Sequence, residues 1–405
     1  MKDYSMKIKE IRNQFKIYEK YPNLHYFDTA ASSLKLTAVA EAISNYYLYN
    51  GTNVHRGVYR LAAEATNDFE TTRDLVAKFI NASPEEIVFT KGTSHSLNML
   101  ASSLKKNLKP GDEVITSQLE HHSSVLPWLV ACQEVGAKLR FIPLDDDFKI
   151  TVKNFKSVLN DKTKVVAITH VANTMGYLTP IVEITKLAHE RDAIVILDAA
   201  QSIAHLPIDI KEVNVDYLAF SAHKMYGPNG VGILYGKKAL LKKLEPSEYG
   251  GEMVFKIDNL TATWKDAPYK FETGTPAIAD VIAFSEAIKF YNKIGYEEII
   301  KHEYKLYKYV LDKIKELNGI TVYNPKSDTP IILLNIDGVH PHDVASMLDQ
   351  ANIAVRAGHH CAQYVIAFLD EIATIRISFG IYNNLADCDA LIQALIETRD
   401  FFLTF

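Results

Sequence analysis

The chain contains few cysteines, little net charge and no long apolar run. Its 405 residues include 3 scattered cysteines, which make no disulfide framework, so we expect a reducing, cytoplasmic setting. The net charge of −5 gives no basic surface for nucleic acid or an anionic membrane. No apolar run reaches the roughly 18 residues of a membrane span. We therefore expect an enzyme-like globular protein with neither nucleic acid nor a membrane as partner.

Several common site signatures are also missing. No GxGxxG sequence follows the first predicted strand, which argues against a dinucleotide site. No CxxC or HxxxH spacing occurs, so we expect no metal site. Function must then depend on ordinary residue types placed at particular points of the fold.

Strand and helix patterns alternate through the middle of the chain. Most of the predicted strands are unbroken apolar runs, as expected when helices cover both faces of a sheet. This order predicts an α/β domain around a mostly parallel sheet. The seven predicted strands are 86–90, 113–117, 138–142, 164–169, 194–198, 217–221 and 231–235.

The pattern changes after about residue 280. A helical stretch over about 280–317 precedes shorter strands and a closing helix, which indicates a second, α+β lobe. We expect a large domain over 21–280 and a small C-terminal domain over 281–405, with residues 1–20 packed on the small domain.

Polar side chains follow several of the predicted strands, at the edge where α/β sheets bind ligands. Asp198 ends the fifth strand and Lys224 follows the sixth, one crossover later. Alone, Asp198 is as well explained by a helix N-cap, and Lys224 by a surface lysine. As neighbours in one sheet, both are expected to face the same crevice.

Two further groups belong to the same edge. Thr93 opens a helix after Gly92, which makes either an anion cradle or an ordinary N-cap. His121 and His122 follow the second strand, where a ring could cover a flat ligand. An anion cradle, an imidazole, a carboxylate and a lysine are together the parts that pyridoxal 5'-phosphate requires.

The segments that carry this set are similar to a known family. VILDAAQSIAHLPIDI and VDYLAFSAHKMYGPNGVGILYGK resemble the class V, fold-type I enzymes that use pyridoxal phosphate. The chain looks most like the group II, SufS-like cysteine desulfurases, which include selenocysteine lyase activity. The resemblance extends from YFDTAASSLKL to IRISFGIYNN. It implies a seven-stranded mostly parallel sheet plus a smaller α+β C-terminal domain.

The resemblance also implies roles for individual residues. Lys224 would hold the cofactor covalently, and His121 would stack on its ring. Asp198 would pair with the pyridine nitrogen, and Gln201 with the phenolic oxygen. The implied phosphate ligands are Thr93, Ser221, His223 and, from the other subunit of a homodimer, Thr275. The implied substrate-binding residues are Arg376, Asn173, His55 and Arg356.

Cys361, in RAGHHCAQY, is open to three interpretations from its neighbours alone: a metal ligand, a nucleophile or a structural cysteine. The resemblance implies that Cys361 takes the sulfur of L-cysteine, or the selenium of L-selenocysteine, as alanine leaves. His359, His360 and Arg356 are expected to favour the thiolate. Adjacent histidine and cysteine side chains rarely chelate one ion, which argues against a metal.

The other two cysteines are expected to be structural. Cys132 lies at helical spacing in PWLVACQEV, and Cys388 starts the closing helix. The chain departs from the family pattern at His95, where glutamate is common, at Tyr364, where proline is common, and in HVANTMG. These departures leave the catalytic set complete but bear on partner handling.

The expected pathway is iron–sulfur cluster assembly, and thiolation of other targets is the alternative. The expected persulfide acceptor is a SufE-like or SufU-like protein, with free thiols as the alternative. Other enzymes of the same fold remain alternatives, such as a class V aminotransferase or an epimerase, which would need no cysteine. A sulfur-carrier scaffold without activity is a third alternative, and the complete set of lysine, aspartate, histidine and arginine argues against it.

Overall fold

The computed structural model describes residues 8–403, which contain fifteen strands. The strands are β1 (His25–Tyr26), β2 (Ile87–Thr90), β3 (Glu113–Ser117), β4 (Lys138–Ile142), β5 (Thr163–Thr169), β6 (Ile194–Asp198), β7 (Tyr217–Ser221), β8 (Gly232–Gly236), β9 (Val254–Asp258), β10 (Thr261–Trp264), β11 (Ile320–Val322), β12 (Ile331–Ile336), β13 (Ile353–Ala354), β14 (Arg356–Gly358) and β15 (Thr374–Ser378).

Helices connect and cover these strands. The α-helices are Ile17–Lys20, Thr37–Tyr49, Arg60–Phe79, Thr93–Leu104, His122–Val135, Val152–Val158, Ile181–His189, Ser202–His205, Ile210–Val213, Lys238–Lys243, Ile278–Ile294, Tyr296–Ile314, Pro341–Gln350, Gln363–Phe368 and Leu385–Leu403. Single 3-10 turns cover Pro84–Glu86, Lys105–Asn107, Ala222–Lys224 and Tyr269–Phe271.

The larger sheet has seven strands in the order β2-β8-β7-β6-β5-β3-β4. All of them run parallel except β8, which is antiparallel to both of its neighbours. The predicted seven-stranded, mostly parallel sheet is confirmed, and each predicted strand bound lies within one residue of the observed one. Runs of apolar residues between turns are a strong signal for strands that are buried on both faces.

Each strand of this sheet contributes side chains to two hydrophobic cores, one on each face of the sheet. In β6, Val195 and Leu197 belong to the core on one face and Ile196 to the core on the other, because successive side chains of a strand alternate. Burial of each such side chain contributes about 1.5–3 kcal/mol. The sheet is therefore a rigid base for the loops at its edges.

The smaller sheet is antiparallel, in the order β11-β12-β15-β14. Leu334 of β12 and Ile377 of β15 lie in a third core, against helices Tyr296–Ile314 and Leu385–Leu403. The helical stretch predicted over about 280–317 consists of two helices in the structure, Ile278–Ile294 and Tyr296–Ile314. Gly295, with φ of 84°, separates them.

The segment before the first large helix touches both lobes. The Arg12 guanidinium donates to Asp387 Oδ2 at 2.6 Å and to the Tyr382 carbonyl at 2.8 Å, both near the C-terminal helix. Residues 1–7 lie outside the described range. The division of the chain at residue 280 stays a prediction, and helix Ile278–Ile294 passes through that point.

Sequence analysis did not identify the hairpin of β9 and β10, which stands apart from both large cores. Phe255, Ile257 and Leu260 in this hairpin are exposed. A strand that packs on no core carries none of the burial pattern that marks the others.

The buried ring of Phe15 generates a prediction about stability. Phe15 is 1% exposed, and its ring makes edge contacts with Tyr226, Phe290 and Tyr382 from both lobes. Phe15→Ala should lower the free energy of unfolding by about 3–5 kcal/mol, because it leaves a cavity among these rings. Denaturant unfolding at a fixed protein concentration measures the change. The control is Tyr21→Ala, at a ring that is 51% exposed, which should change stability by about 0.5 kcal/mol or less.

Candidate active site

A cavity of about 310 Å³ opens at the carboxyl ends of the parallel strands, where the small lobe covers the large sheet. This volume is at the lower end of the range for small-molecule sites, about 300–1,000 Å³. Eleven of the predicted residues line it together: Thr93, His121, Asn173, Asp198, Gln201, Ser221, His223, Lys224, Arg356, Cys361 and Arg376.

Lys224 and Asp198 enter the cavity from adjacent strands. Asp198 ends β6 and is fixed by hydrogen bonds from the Ala200 N–H, at 2.9 Å, and from the Ser124 hydroxyl. Lys224 lies in the turn after β7. Burial lowers the pKa of Lys224 to about 8, although the charge of Asp198 opposes the shift. A substantial fraction of the Lys224 amine is therefore neutral near pH 8.

Lys35, which sequence analysis missed, holds the turn that carries Lys224. Its ammonium donates to the Ser32 hydroxyl at 3.0 Å and to the carbonyls of Ser33 and His223 at 2.7 and 2.9 Å. His223 directly precedes Lys224 in the chain. A single lysine in a loop has no pattern of its own, so only its place in AASSLKL hinted at a role.

The start of helix Thr93–Leu104 lies at the place predicted for an anion cradle. The backbone N–H of Thr93 donates to Ser221 Oγ at 2.7 Å, and the two side-chain oxygens are also 2.7 Å apart. Gly92 precedes the helix with φ of 150°. A Cβ on Gly232 would lie 2.3 Å from the Gly92 Cα, so only glycine permits this approach. The helix N-terminus favours an anion at this point.

The two histidines of the cavity that are predicted to bind the cofactor are neutral at pH 7. Burial and the nearby Lys224 lower the pKa of His121 to about 4, and the same causes act on His223, whose pKa is also about 4. His121 Nδ1 accepts a hydrogen bond from the Ser123 N–H at 3.1 Å, which fixes the ring. A neutral, fixed ring is suited to stacking on a flat ligand.

The small lobe supplies two arginines, and Asp28 connects them. Arg356 donates to both carboxylate oxygens of Asp28 at 2.9–3.2 Å, and Arg376 Nη2 lies 3.4 Å from Asp28 Oδ1. Arg376 Nη1 also donates to the Asn173 carbonyl at 3.0 Å. Burial lowers the pKa of Arg376 to about 10, with Asp28 opposing, so the guanidinium stays charged at pH 7. Sequence analysis did not identify Asp28.

Three buried polar atoms on residues that line this cavity have no hydrogen-bond partner among residues 8–403. They are Arg376 Nε, a donor, Asn173 Oδ1, an acceptor, and His360 Nδ1. Buried polar atoms without partners cost free energy, and a ligand that pairs with them recovers it. A guanidinium with a spare N–H suits a carboxylate.

Cys361 is the exposed thiol of the described chain, whereas Cys132 and Cys388 are buried. Burial raises the pKa of Cys132 to about 11, so this thiol is inert at pH 7. Arg356, Arg376 and Lys224 are close enough to Cys361 to interact with it electrostatically.

The prediction that His360 favours the thiolate form of Cys361 is wrong. His360 is buried, and its Nε2 bonds to Thr374 Oγ1 at 2.9 Å. Burial and the charge of Arg376 lower the pKa of His360 to about 3, so it carries no positive charge at pH 7. Sequence adjacency suggested a charged neighbour, but the backbone turns this side chain into the small lobe.

Two predicted residues lie outside the cavity of the single chain. His55 Nε2 bonds to Glu70 Oε1 at 2.9 Å, and Thr275 is exposed. Their predicted roles are not tested and stay predictions. His95 and Tyr364, which depart from the family pattern, both contact other residues. His95 Nε2 lies 3.1 Å from Glu248 Oε1, and the Tyr364 ring lies 5.2 Å from that of Phe141.

The set of residues fits pyridoxal phosphate. It provides a lysine with a lowered pKa, a fixed carboxylate, a neutral ring and an anion cradle around one cavity. Among residues 8–403, no group of three or more histidine, cysteine, aspartate or glutamate side chains could hold a metal ion. No helix in the same range is both long and apolar enough to cross a membrane.

Known proteins resemble the chain over nearly its whole length. The family model described as aminotransferase class-V matches residues 25–391. A probable cysteine desulfurase of Halalkalibacterium halodurans is 46% identical over 98% of this chain and 99% of its own length. One of Staphylococcus aureus strain COL is 41% identical over 99% of each.

Solved structures give the same result. A cysteine desulfurase of Thermococcus onnurineus superposes with a TM-score of 0.93 at 37% identity, over 97% of this chain and 98% of that chain. The Escherichia coli cysteine desulfurase CsdA superposes with a TM-score of 0.92 at 33% identity, over the same shares. The predicted family, fold class and dependence on pyridoxal phosphate are confirmed. The chain belongs to the aminotransferase class-V family, within which the relatives it resembles are cysteine desulfurases.

Proposed function

We propose that the chain is a cysteine desulfurase, which converts L-cysteine and the Cys361 thiol into L-alanine and a Cys361 persulfide. The observation that carries this assignment is the presence of one exposed cysteine in the same cavity as Lys224 and Arg376. An aminotransferase or an epimerase would use the lysine but would have no need of the thiol. The names of the full-length relatives agree with the assignment.

The large lobe would hold the cofactor. Lys224 would bind it covalently, with Asp198 at the pyridine nitrogen, Gln201 at the phenolic oxygen and His121 against the ring. Thr93, Ser221 and His223 would bind its phosphate at the start of the helix. When bound, pyridoxal phosphate stores the electrons released as bonds to the substrate's Cα and Cβ change.

The small lobe would bind the substrate. Arg376 would bind the carboxylate of L-cysteine through the guanidinium whose Nε has no partner among the described residues, with Asn173 beside it. Arg356 would line the opposite side. Asp28 accepts hydrogen bonds from both arginines, so their orientation is fixed before the substrate arrives.

Lys224 and Cys361 would perform the transfers. The neutral Nζ of Lys224 would take the proton from the substrate's Cα and return a proton as alanine forms. The Cys361 thiolate would attack the substrate's sulfur, so that an S–S bond forms as the Cβ–S bond breaks. His121, neutral at pH 7, would stack on the cofactor ring, and Asp198 would pair with the ring nitrogen.

The proposed assembly is a homodimer with shared sites. Thr275 would reach the phosphate of the partner's cofactor, and His55 would line the partner's substrate site. Exposed apolar side chains are frequent in the segments near these residues, and unpaired apolar patches mark interfaces. They include Tyr47, Leu48, Tyr49, Val58, Phe255 and Leu260.

The proposed acceptor of the persulfide is a carrier protein of the SufE-like or SufU-like type, which would supply iron–sulfur cluster assembly in the cytoplasm. The exposure of Cys361 supports transfer to another protein. L-selenocysteine is the alternative substrate, since selenium leaves more readily than sulfur.

The lowered pKa of Lys224 predicts how cofactor attachment depends on pH. Only the unprotonated amine attacks an aldehyde, so the attachment rate should rise with pH through about 8 and then level off. For a lysine with an ordinary pKa of about 10.4, the attachment rate would keep rising above pH 9. The measurement is the visible absorbance that develops when pyridoxal phosphate is added to cofactor-free protein. Asp198→Asn should move the midpoint to lower pH, since Asp198 raises this pKa, whereas a midpoint near 10 would contradict the effect of burial.

Replacement of the thiol separates the two halves of the reaction. Cys361→Ser and Cys361→Ala should keep cofactor binding, because no cofactor ligand is changed. They should lose persulfide formation from L-cysteine by roughly a thousandfold or more. Alanine, sulfide and the visible spectrum are followed together. Cys132→Ala, at a buried cysteine, is the control and should retain turnover. Near-parent turnover by either Cys361 variant would show that another group accepts the sulfur.

Mixed dimers test the shared site. Lys224→Ala and Thr275→Val proteins, each impaired alone, should regain activity on mixing, because half of the mixed sites then have Lys224 and the partner's Thr275 intact. Activity is compared with that of each variant exchanged against itself, with subunit exchange verified by differently tagged chains. Proven exchange without any gain in activity would contradict sharing through Thr275.

A further inference from the structure

The backbone around Cys361 is held in an unusual conformation. We call residues 358–363 the cysteine loop. Gly358 has φ of 126°, and His360 and Cys361 have φ of 53° and 54°. Two successive non-glycine residues in the left-handed region cost free energy, so such a conformation persists only where neighbouring contacts hold it.

His122 provides two of these contacts from the large lobe. Its backbone N–H donates to the Cys361 carbonyl at 2.7 Å, and its ring Nε2 accepts from the Gln363 N–H at 3.2 Å. One residue thus binds the cysteine loop at two points, at the Cys361 carbonyl and two residues later. Burial and the nearby His359 lower the pKa of His122, which keeps the ring neutral and Nε2 available as an acceptor.

Ala362 is buried after the thiol, and the other side-chain hydrogen bonds that restrain the loop lie before the thiol. Asn173 Nδ2 donates to the His360 carbonyl at 2.8 Å, and His360 Nε2 bonds to Thr374 Oγ1 at 2.9 Å. Among the side-chain hydrogen bonds of the described residues, the His122 ring makes the one that reaches the backbone just after Cys361. His121 directly precedes His122, but the stacking role proposed for His121 gives no function to the His122 ring.

We propose that His122 is a positioning residue, whose imidazole fixes the Cys361 thiol for sulfur acceptance by accepting the hydrogen bond from Gln363. This inference rests on the proposed role of Cys361 as the sulfur acceptor. The ring of His122 lies 6.3 Å from that of the proposed cofactor ligand His121, but His122 does not line the cavity itself. Its effect is to keep the cysteine loop in the single arrangement that places the thiol at the cavity.

A graded set of variants tests the contact. The side-chain oxygen of glutamine reaches as far from the backbone as histidine Nε2, whereas the side-chain oxygen of asparagine reaches only as far as Nδ1. His122→Gln should therefore retain the acceptor, while His122→Asn and His122→Ala should lose it. Hydrogen exchange of the peptide that carries Gln363, followed by mass spectrometry in cofactor-free protein, should become about tenfold faster in the alanine and asparagine variants and stay near the parent rate in the glutamine variant.

Persulfide formation in a single turnover provides the second measurement, on holoprotein. The alanine and asparagine variants should form the Cys361 persulfide about tenfold more slowly, with KM for L-cysteine and cofactor content unchanged, and the glutamine variant should recover to within about twofold. His359→Ala, at an exposed neighbouring histidine, is the control for exchange and should leave the Gln363 amide at the parent rate. Asparagine and glutamine keep the proposal testable if the alanine variant fails to fold.

Two results would overturn the inference: unchanged exchange at Gln363 in the asparagine variant, or slow persulfide formation in all variants including glutamine. If the parent protein formed no persulfide from L-cysteine, the proposed function would fail. The exchange measurement would still decide whether His122 holds the loop, so the two failures are distinguishable.

Discussion

The paired hydrogen bonds of Asp28 with Arg356 and Arg376 are the interaction on which the arrangement of the cavity depends. Asp28 follows β1, whose residues pair with β13 of the small lobe, and its own backbone forms a bridge to Ser378. A few residues later, the same segment supplies Ser33 and Lys35, which hold the His223 carbonyl before Lys224. One stretch of chain thus orients the arginines of one lobe and the lysine of the other.

Burial then gives each titratable group of the cavity a different state at pH 7. The same loss of water lowers the pKa of Lys224 to about 8 and that of His121 to about 4, whereas Arg376, at about 10, keeps its charge. A partly neutral amine, a neutral ring and a permanent cation are thereby available within one cavity. Groups whose pKa values are separated in this way are typical of active sites.

The sequence was sufficient for the large sheet and for much of the cavity. Apolar runs between turns placed all seven strands, and the rule that ligands bind at strand ends placed Asp198 and Lys224. Asp28 and Lys35 were missed because their partners are far away in the chain, and no local pattern records such contacts. The direction of the His360 side chain depends on a left-handed backbone that sequence adjacency did not reveal. The roles of His55 and Thr275 stay predictions, since their proposed partners belong to a second subunit.

The contacts that locate the cysteine loop are made largely to its main chain. The carbonyls of His360 and Cys361 accept hydrogen bonds from Asn173 and His122, and neither bond depends on the side chain of the residue that is held. The position of the loop is therefore separable from the chemistry that it displays. Substitution at position 359, whose side chain is exposed, therefore changes the surface beside the thiol without relocating the thiol.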